Sequence, residues 1–175
     1  IRDSLPMLLD WRTRPEITRF LNTDVEYDME NQLKWFDKIK KDKNSLYWLI
    51  SYKNELVGLN SLNDIDWGNK FCYGSFYIAK PNFRAILGYY VPHLTLNYIF
   101  TNTNLNKSIA NILTDNKKVV DLYKKIGYRK VGVLKNHINK NGKYNDMILL
   151  EYLKNDWLLN IDTFNKFKAN YHKGA

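Results

Sequence analysis

The sequence has a single cysteine, Cys72, among its 175 residues. One cysteine excludes an internal disulfide and is typical of proteins from reducing compartments, so we expect a cytoplasmic location. Cys72 lies in the apolar run Phe71–Ile78, which predicts a strand. We therefore interpret it as a buried, unreactive thiol rather than a nucleophile.

Long hydrophobic runs are also missing. No stretch approaches the ~18 apolar residues that a membrane-spanning helix needs, and no signal-peptide pattern is present. The chain begins with Ile1 rather than Met, so we expect a short leader before it. No repeat or low-complexity linker divides the sequence, which predicts one domain over residues 1–175 without a membrane partner.

Acidic residues are scarce: 18 stand against 27 basic ones, giving a formal net charge of +9. This excess favours anionic partners, although a genome rich in A and T would explain it equally well. The basic residues are scattered rather than clustered, so we expect no nucleic-acid partner. His93, His137 and His172 lack metal-ligand spacing, and we expect no metal site.

The spacing of apolar residues predicts the order of the elements. The predicted helices cover 3–12 (with a short turn beyond Pro15), 29–39, 89–100, 116–126 and 156–171; the predicted strands cover 46–52, 55–65, 71–79, 108–113, 128–133 and 146–153. This order indicates an α/β (α+β) fold, with helices on both faces of one mixed, mostly antiparallel sheet.

Three segments follow one another in the middle of the chain, GSFYI (74–78), FRAILG (83–88) and NKKVVDLYKKIGY (116–128). The first is typical of a strand, the second of a turn into a helix, and the third of an amphipathic helix that begins at an asparagine and ends at a glycine. In this order they resemble the acetyl-CoA core of the GNAT superfamily of N-acetyltransferases. The third segment is similar to the family pattern N-x-x-A-x-x-L-Y-x-x-x-G-F.

The third segment contains two site residues that the resemblance implies. Asn116 would contact the pantetheine arm, and Tyr123, roughly 10 Å along the helix, would be the catalytic residue that protonates the departing CoA thiolate. A capped amphipathic helix with no ligand would explain Asn116 and Gly127 and make Tyr123 a core residue. It would not explain the pair Leu122 and Tyr123.

The first two segments imply a cradle of main-chain groups for acetyl-CoA. In the family the strand bulges and splays from its neighbour, so N–H groups near Tyr77 and Ile78 would polarise the thioester carbonyl. Amides of the following turn would bind the pyrophosphate, with a charged contact from its arginine. The residues of this turn are Arg84, Ile86, Leu87, Gly88 and Tyr89. Ile86 replaces a family glycine, so a plain turn before a helix is the alternative.

The whole pattern is similar to two GNAT subfamilies. One acetylates 4-amino sugars on nucleotides in the pseudaminic acid pathway, and the other acetylates the N termini of ribosomal proteins. Shared features make Trp11, Arg12 and Glu26 candidate substrate residues. The resemblance divides the domain into acceptor-side helices (1–45), the sheet and acetyl-CoA core (46–153) and a C-terminal helix (155–171).

The expected reaction is direct attack of a neutral primary amine on acetyl-CoA. An amine of pKa ~8 is deprotonated at pH 7 for about 1.4 kcal/mol, so no strong base is required. Candidate carboxylates that could act through water are Glu26, Glu30, Asp64 and Asp66. We expect a small-molecule acceptor, first of all a nucleotide-linked amino sugar, and a monomer or homodimer. A protein N-terminal acetyltransferase and a non-catalytic CoA-binding module are the alternatives.

Overall fold

Six strands form one sheet in the structure, a computed structural model that describes residues 2–171. The strands are β1 (Leu46–Tyr52), β2 (Glu55–Asp66), β3 (Phe71–Ile78), β4 (Lys107–Leu113), β5 (Arg129–Lys140) and β6 (Lys143–Leu153). Their order in the sheet is β1-β2-β3-β4-β6-β5, and every neighbouring pair is antiparallel except β3 and β4.

Seven α-helices accompany the sheet in the described residues. They are α1 (Leu5–Thr13), α2 (Pro15–Thr18), α3 (Met29–Lys41), α4 (Arg84–Asn102), α5 (Lys117–Ile126), α6 (Lys154–Leu159) and α7 (Ile161–Phe164). The first three pack on one face, where Leu8 and Trp11 meet Leu59. The later helices cover the other face, and the predicted α/β architecture with helices on both faces is confirmed.

Two tight turns fix the registers of the outer hairpins. Lys53 and Asn54 have φ of 51° and 62°, and Asn141 and Gly142 have φ of 49° and 78°. Positive φ at both central residues is the geometry that matches the twist of antiparallel strands. Both predicted hairpins are confirmed, although β5 and β6 extend further toward their turn than the apolar pattern indicated.

The predicted C-terminal helix over 156–171 is wrong. Two short helices, α6 and α7, occupy its first part, because Asn160 leaves the helical conformation (φ −112°, ψ 19°). The break allows both Phe164 and Phe167 to reach the ring of His93, with centroid distances of 5.1 and 4.1 Å. His172 lies outside the described residues.

Cys72 is fully buried, and burial raises the pKa of its thiol to about 12. A thiol that stays protonated is a poor nucleophile, as predicted. Over residues 2–171 no helix is long and apolar enough to cross a membrane. The same residues contain no group of three or more His, Cys, Asp or Glu side chains that would hold a metal ion. The cytoplasmic location stays a prediction.

Candidate active site

The site is built around a cleft between β3 and β4. These parallel strands pair only where Phe71–Tyr73 meets Lys107–Ile109. Beyond that point β3 continues to Ile78 and β4 to Leu113, without pairing to each other. The splayed strand pair implied by the sequence is confirmed.

The main chain of β3 directs N–H groups into this cleft. Ala79 donates its N–H to the carbonyl of Val57 on β2, at 2.7 Å. Because N–H groups alternate in direction along a strand, those of Phe76 and Ile78 point toward β4, where pairing has ended. Such preorganised donors suit an oxygen atom on which negative charge develops.

Tyr77 faces a different part of the molecule. Its main chain pairs with Leu59 on β2, so its N–H does not enter the cleft. Its ring lies on the face of the sheet that α1–α3 cover. Of the two predicted main-chain donors, Ile78 therefore directs its N–H into the cleft, as Phe76 does. The N–H of Tyr77 points to β2 instead, and its ring lies on the α1–α3 face.

Helix α4 begins at Arg84, five residues earlier than predicted. A 3₁₀ turn, Pro81–Phe83, leads into it, and the N–H of Arg84 is bonded to the carbonyl of Pro81. The next N–H groups, those of Ala85 and Ile86, belong to the first turn, where a helix leaves donors without partners. Ile86 is 43% exposed, so its side chain points away from the core.

Leu87, Gly88 and Tyr89 were predicted as loop residues but lie inside α4. Their N–H groups fall in the range where helical hydrogen bonds form, so they are poorer candidates for binding phosphate. Gly88 contributes space instead. A Cβ placed on Gly88 would come no closer than 4.0 Å to a neighbouring side chain, that of Leu122 on α5. Gly88 therefore keeps the contact between α4 and α5 uncrowded at this point.

The Arg84 side chain turns back toward the end of β3. Its Nε donates to the carbonyl of Ile78 at 3.0 Å, and one terminal nitrogen donates to the carbonyl of Ala79 at 3.4 Å. The same nitrogen lies 3.6 Å from a carboxylate oxygen of Glu16 on α2. The guanidinium thus ties the end of β3 to the acceptor-side helices instead of extending toward the start of α4.

Asn116 stands at the start of α5, beside the cleft. Its main-chain N–H donates to the carbonyl of Leu113, the last residue of β4, at 2.9 Å. Its side chain makes no capping hydrogen bond with the helix, although it occupies the N-cap position. A half-buried amide that does not cap its helix can bond to a ligand in the cleft.

Tyr123 lies in the core between α5 and the sheet, with only 6% of its surface exposed. Its ring is 4.8 Å from that of Tyr128, whose hydroxyl lies 3.0 Å from Oγ of Ser108 on β4. Burial raises the pKa of Tyr123, and no hydrogen bond joins its hydroxyl to another residue in the described part of the chain. The hydroxyl therefore stays protonated at neutral pH and can donate a hydrogen bond, while the same burial makes it a weaker acid than free tyrosine.

A cavity of about 280 Å³ opens on the other face of β3, under α1–α3. Its walls are Arg12, Leu21, Asn22, Thr23, Trp35, Tyr47, Leu59, Ser61, Asn63, Ser75, Phe76 and Tyr77. The Arg12 guanidinium lies 5.8 Å from the ring centroid of Trp35. The hydroxyl of Tyr47 donates to the side-chain carbonyl of Asn63 at 2.9 Å, and Asn63 donates to Oγ of Ser61 at 3.0 Å.

The hydroxyl of Tyr77 in this cavity is buried and has no partner among the described residues. Burial raises the pKa of both Tyr47 and Tyr77, and the nearby positive charge of Arg12 opposes that effect at each hydroxyl. The Arg12 cation, the two tyrosine hydroxyls and four aromatic rings therefore share the cavity. This combination suits a polar, anionic ligand with a flat ring.

A larger cavity of about 540 Å³ lies further along the same face. Its walls are Asp64, Asp66, Phe71, Tyr73, Asn111, Leu134, His137, Met147 and Leu149. Phe71 and Tyr73 share the strand face of Tyr77, because side chains two residues apart lie on the same side. We refer to the face of the sheet that bears both cavities as the acceptor face, after the prediction for its helices; it is cationic at Arg12 and acidic at Asp64.

The other predicted acceptor-side residues lie elsewhere or are already bonded. Trp11 is only 3% exposed and packs in the core, because it lies on the apolar side of α1. Glu26 is exposed on the loop before α3 and lines neither cavity. Glu30 pairs with Lys34 at 2.6 Å. Asp66 accepts hydrogen bonds from the main chain and side chain of Asn69, at 2.7 and 2.8 Å, which lower its pKa.

Comparison with known families matches this geometry. The acetyltransferase (GNAT) domain model matches residues 5–149. The chain belongs to the GNAT acetyltransferase family. It is an acetyl-CoA-dependent N-acetyltransferase, with acetyl-CoA as its cosubstrate.

The relatives of this GNAT enzyme bear the names of different acetyltransferases. It is 27% identical over 119 residues to the acetyltransferase PseH of Campylobacter jejuni, which covers 68% of this chain and 73% of that protein. It is 26% identical over 106 residues to the spermidine N(1)-acetyltransferase of Vibrio cholerae, 61% of each chain. The crystal structure of a Vibrio cholerae spermidine N-acetyltransferase with CoA and spermine superposes with a TM-score of 0.83, at 21% identity over 90% of this chain and 94% of that one.

The GNAT enzyme contains polar cavity residues that the sequence analysis did not select. Trp35, Tyr47, Ser61 and Asn63 come from three elements and meet only in the folded chain. One signal was available, because Ser61 and Asn63 place two polar side chains at alternate positions of β2, beside the apolar residues Leu59 and Leu62. That alternation indicates a polar surface on one face of β2.

Proposed function

We propose that the enzyme acetylates the amino group of a nucleotide-linked amino sugar. The observation that carries this proposal is Arg12, a cation placed beside Trp35 and two tyrosine hydroxyls on the acceptor face. Phosphate groups would bond to the guanidinium, and a base or sugar ring would pack on the aromatic walls. The 27% identity to PseH supports the same substrate class.

The reaction follows from the groups around the cleft. Acetyl-CoA enters between α4 and α5, with its pyrophosphate at the N–H groups of Ala85 and Ile86 and its pantetheine arm beside Asn116. The N–H groups of Phe76 and Ile78 bond to the thioester oxygen, so the carbonyl carbon becomes more electrophilic. The acceptor reaches this carbon from the opposite face of the sheet.

Bond making and bond breaking then balance within one transfer. The lone pair of the neutral amine forms the new N–C bond, and the C–S bond breaks with its electrons on sulfur. Tyr123 donates its proton to the departing thiolate and is restored from solvent. The amine loses its extra proton to water or to a carboxylate, for which Asp64 lines the acceptor face.

A polyamine is the competing acceptor, because Asp64 and Asp66 make part of the acceptor face acidic and a spermidine acetyltransferase is among the relatives. Asp66 already accepts two hydrogen bonds from Asn69, which weakens this case. Arg12 would repel a polycation in the smaller cavity. An N-terminal peptide is a third candidate acceptor. The unpartnered N–H groups of the cleft would polarise the thioester of acetyl-CoA, so they would serve all three acceptors equally.

The deciding experiment compares Arg12→Met with wild type on three amines: a UDP-linked 4-amino-4,6-dideoxyhexose, spermidine and a basic N-terminal peptide. Thiol release measures turnover. Charge-assisted hydrogen bonds contribute ~1.5–3 kcal/mol, so we expect the KM for the UDP sugar to rise ~10- to 150-fold in Arg12→Met. The KM for acetyl-CoA should stay unchanged.

Arg14→Met is the matched control. Arg14 lies two residues away and pairs with Asp10 on the surface rather than facing the cavity. It should leave both KM values within two-fold of wild type. The proposal is refuted if spermidine or the peptide is the better substrate of the wild-type enzyme, and most clearly if Arg12→Met improves spermidine turnover.

A further inference from the structure

Lys140 stands at the tip of the β5–β6 hairpin, in a sequence (NKNGK, 139–143) that indicates a solvated turn. Its side chain is only 10% exposed. The Nζ atom donates to the carbonyls of Thr18 and Leu21, at 2.7 and 2.8 Å, and lies 3.4 Å from a carboxylate oxygen of Asp24. An ammonium group has three donors, and these three oxygens match them.

The partners of Lys140 lie in and beside a short segment of chain that lines the smaller cavity. Between Leu21 and Asp24 lie Asn22 and Thr23, and residues 21–23 all line the cavity that contains Arg12. The stretch from residue 19 to residue 28 contains no helix or strand of its own. Its position therefore depends on contacts such as those made by Lys140.

A bulge in β5 brings Lys140 to this place. The register of β5 on β6 shifts between Leu134 and Ile138, and Asn136 has φ of 50°. Asp146 holds the bulge, because its carboxylate accepts from Nζ of Lys135 at 2.7 Å and from the N–H of Asn136 at 2.9 Å. Bulges bend a strand, and here the end of the hairpin reaches α2, which packs on the acceptor face.

We infer that Lys140 is a positioning residue for the acceptor. It fastens the 19–28 loop to the β5–β6 hairpin, so that residues 21–23 of the loop stay in the wall of the cavity of Arg12. Without the ammonium group, the carbonyls of Thr18 and Leu21 lose their donor and the loop is released. The inference rests on the proposed acceptor site, but the state of the loop can be measured without any acceptor.

The test compares Lys140→Met with Lys143→Met, which removes the same charge from the other side of the turn. Hydrogen exchange of the 19–24 amides should become at least tenfold faster in Lys140→Met and stay at the wild-type rate in Lys143→Met. The KM for the acceptor that wild type turns over best, among the UDP amino sugar, spermidine and the peptide, should rise about tenfold. The KM for acetyl-CoA and kcat should remain within two-fold.

Two outcomes would overturn the inference: unchanged exchange over 19–24, or faster exchange with an unchanged acceptor KM. If the UDP sugar alone is not turned over, the proposed function is refuted. The hydrogen-exchange result still tests whether Lys140 holds the loop. If Lys140→Met does not fold, Asp24→Asn replaces it, since it removes one of three partners. It should accelerate exchange over the same residues by a smaller factor, and an unaltered rate there would equally contradict the inference.

Discussion

The two faces of the sheet meet their ligands in different ways. On the α4–α5 face the groups that we propose to bind acetyl-CoA are main-chain N–H groups, those of Phe76, Ile78 and Ile86. On the α1–α3 face polar side chains, led by Arg12 and Asn63, line the cavities. The main-chain groups of the first face remain when its side chains vary. On the second face, each substitution of a lining residue changes the groups that a ligand would contact.

This difference explains the pattern of similarity. Ile86 replaces a glycine of the family pattern, and its N–H is still at the start of a helix. The acceptor face depends on side chains, so a substitution there alters the lining of its cavities. Two relatives with 26 and 27% identity bear the names of different enzymes.

The largest effect on the α4–α5 face is expected for Tyr123→Phe. It removes the proton donor and keeps the buried ring, so kcat should fall by ~10²–10⁴ while acetyl-CoA affinity and stability change little. Steady-state kinetics and a binding titration measure both. Because burial raises the pKa of Tyr123, the wild-type kcat should show no basic limb from this group below pH ~10.

Tyr128→Phe is the matched control for the loss of a buried hydroxyl. Its hydroxyl bonds to Ser108 rather than facing a ligand, so the variant should lose ~1 kcal/mol of unfolding free energy and keep its kcat. If Tyr123→Phe turned over within two-fold of wild type, water would be the proton donor and the α4–α5 face would contain no catalytic side chain.

A smaller effect is expected for Gly58→Ala, which tests the main-chain geometry itself. A Cβ at Gly58 would lie 2.2 Å from the carbonyl oxygen of Tyr77, so β2 or β3 must shift where Ile78 directs its N–H into the cleft. We expect a loss of about 1–3 kcal/mol in unfolding free energy and at least a tenfold lower kcat. Thermal unfolding and kinetics measure the two effects.

Gly132→Ala provides the comparison, because no atom lies within 4 Å of the Cβ position at Gly132 on the edge strand β5. That variant should match wild type in both measurements. A Gly58→Ala protein with unchanged kcat would show that the position of the β3 main chain does not limit catalysis.

The difference between the two faces also explains which features could be predicted from the sequence. Helix α5 contains its own signals, and Asn116 at its start and Gly127 at its end (φ 112°) were predicted from local pattern alone. The family motif then predicted which face binds acetyl-CoA. The C-terminal helix failed because Phe164 and Phe167 pack on His93, a tertiary contact that outweighs helical periodicity.

The acceptor cavity was harder to predict for a physical reason. Its residues come from α1, the loop after α2, α3 and three strands, and no local pattern brings Arg12, Trp35 and Tyr77 together. Arg12 was selected by resemblance, whereas Trp11 beside it proved to be core. Lys140 has no sequence signal at all, because its three partners lie more than 100 residues away in the chain.

The smallest effect is expected on the α1–α3 face, for Asn63→Ala. Asn63 joins the hydroxyls of Tyr47 and Ser61, so its loss leaves the Tyr47 hydroxyl without its acceptor. A neutral hydrogen bond contributes ~0.5–1.5 kcal/mol, which corresponds to a rise of ~2- to 13-fold in the acceptor KM. Kinetics with the UDP amino sugar measure it, and the KM for acetyl-CoA should not move.

Tyr47→Phe serves as the partner of this variant, because it removes the donor and leaves Asn63 in place. If the chain of hydrogen bonds positions the acceptor as a unit, each single change and the double change should raise the acceptor KM by similar factors, since breaking one link already disconnects the network. Independent multiplication of the two factors would mean that each side chain contacts the acceptor separately. A rise in the acetyl-CoA KM would contradict the division between the two faces, because the network would then reach across β3 to the cofactor.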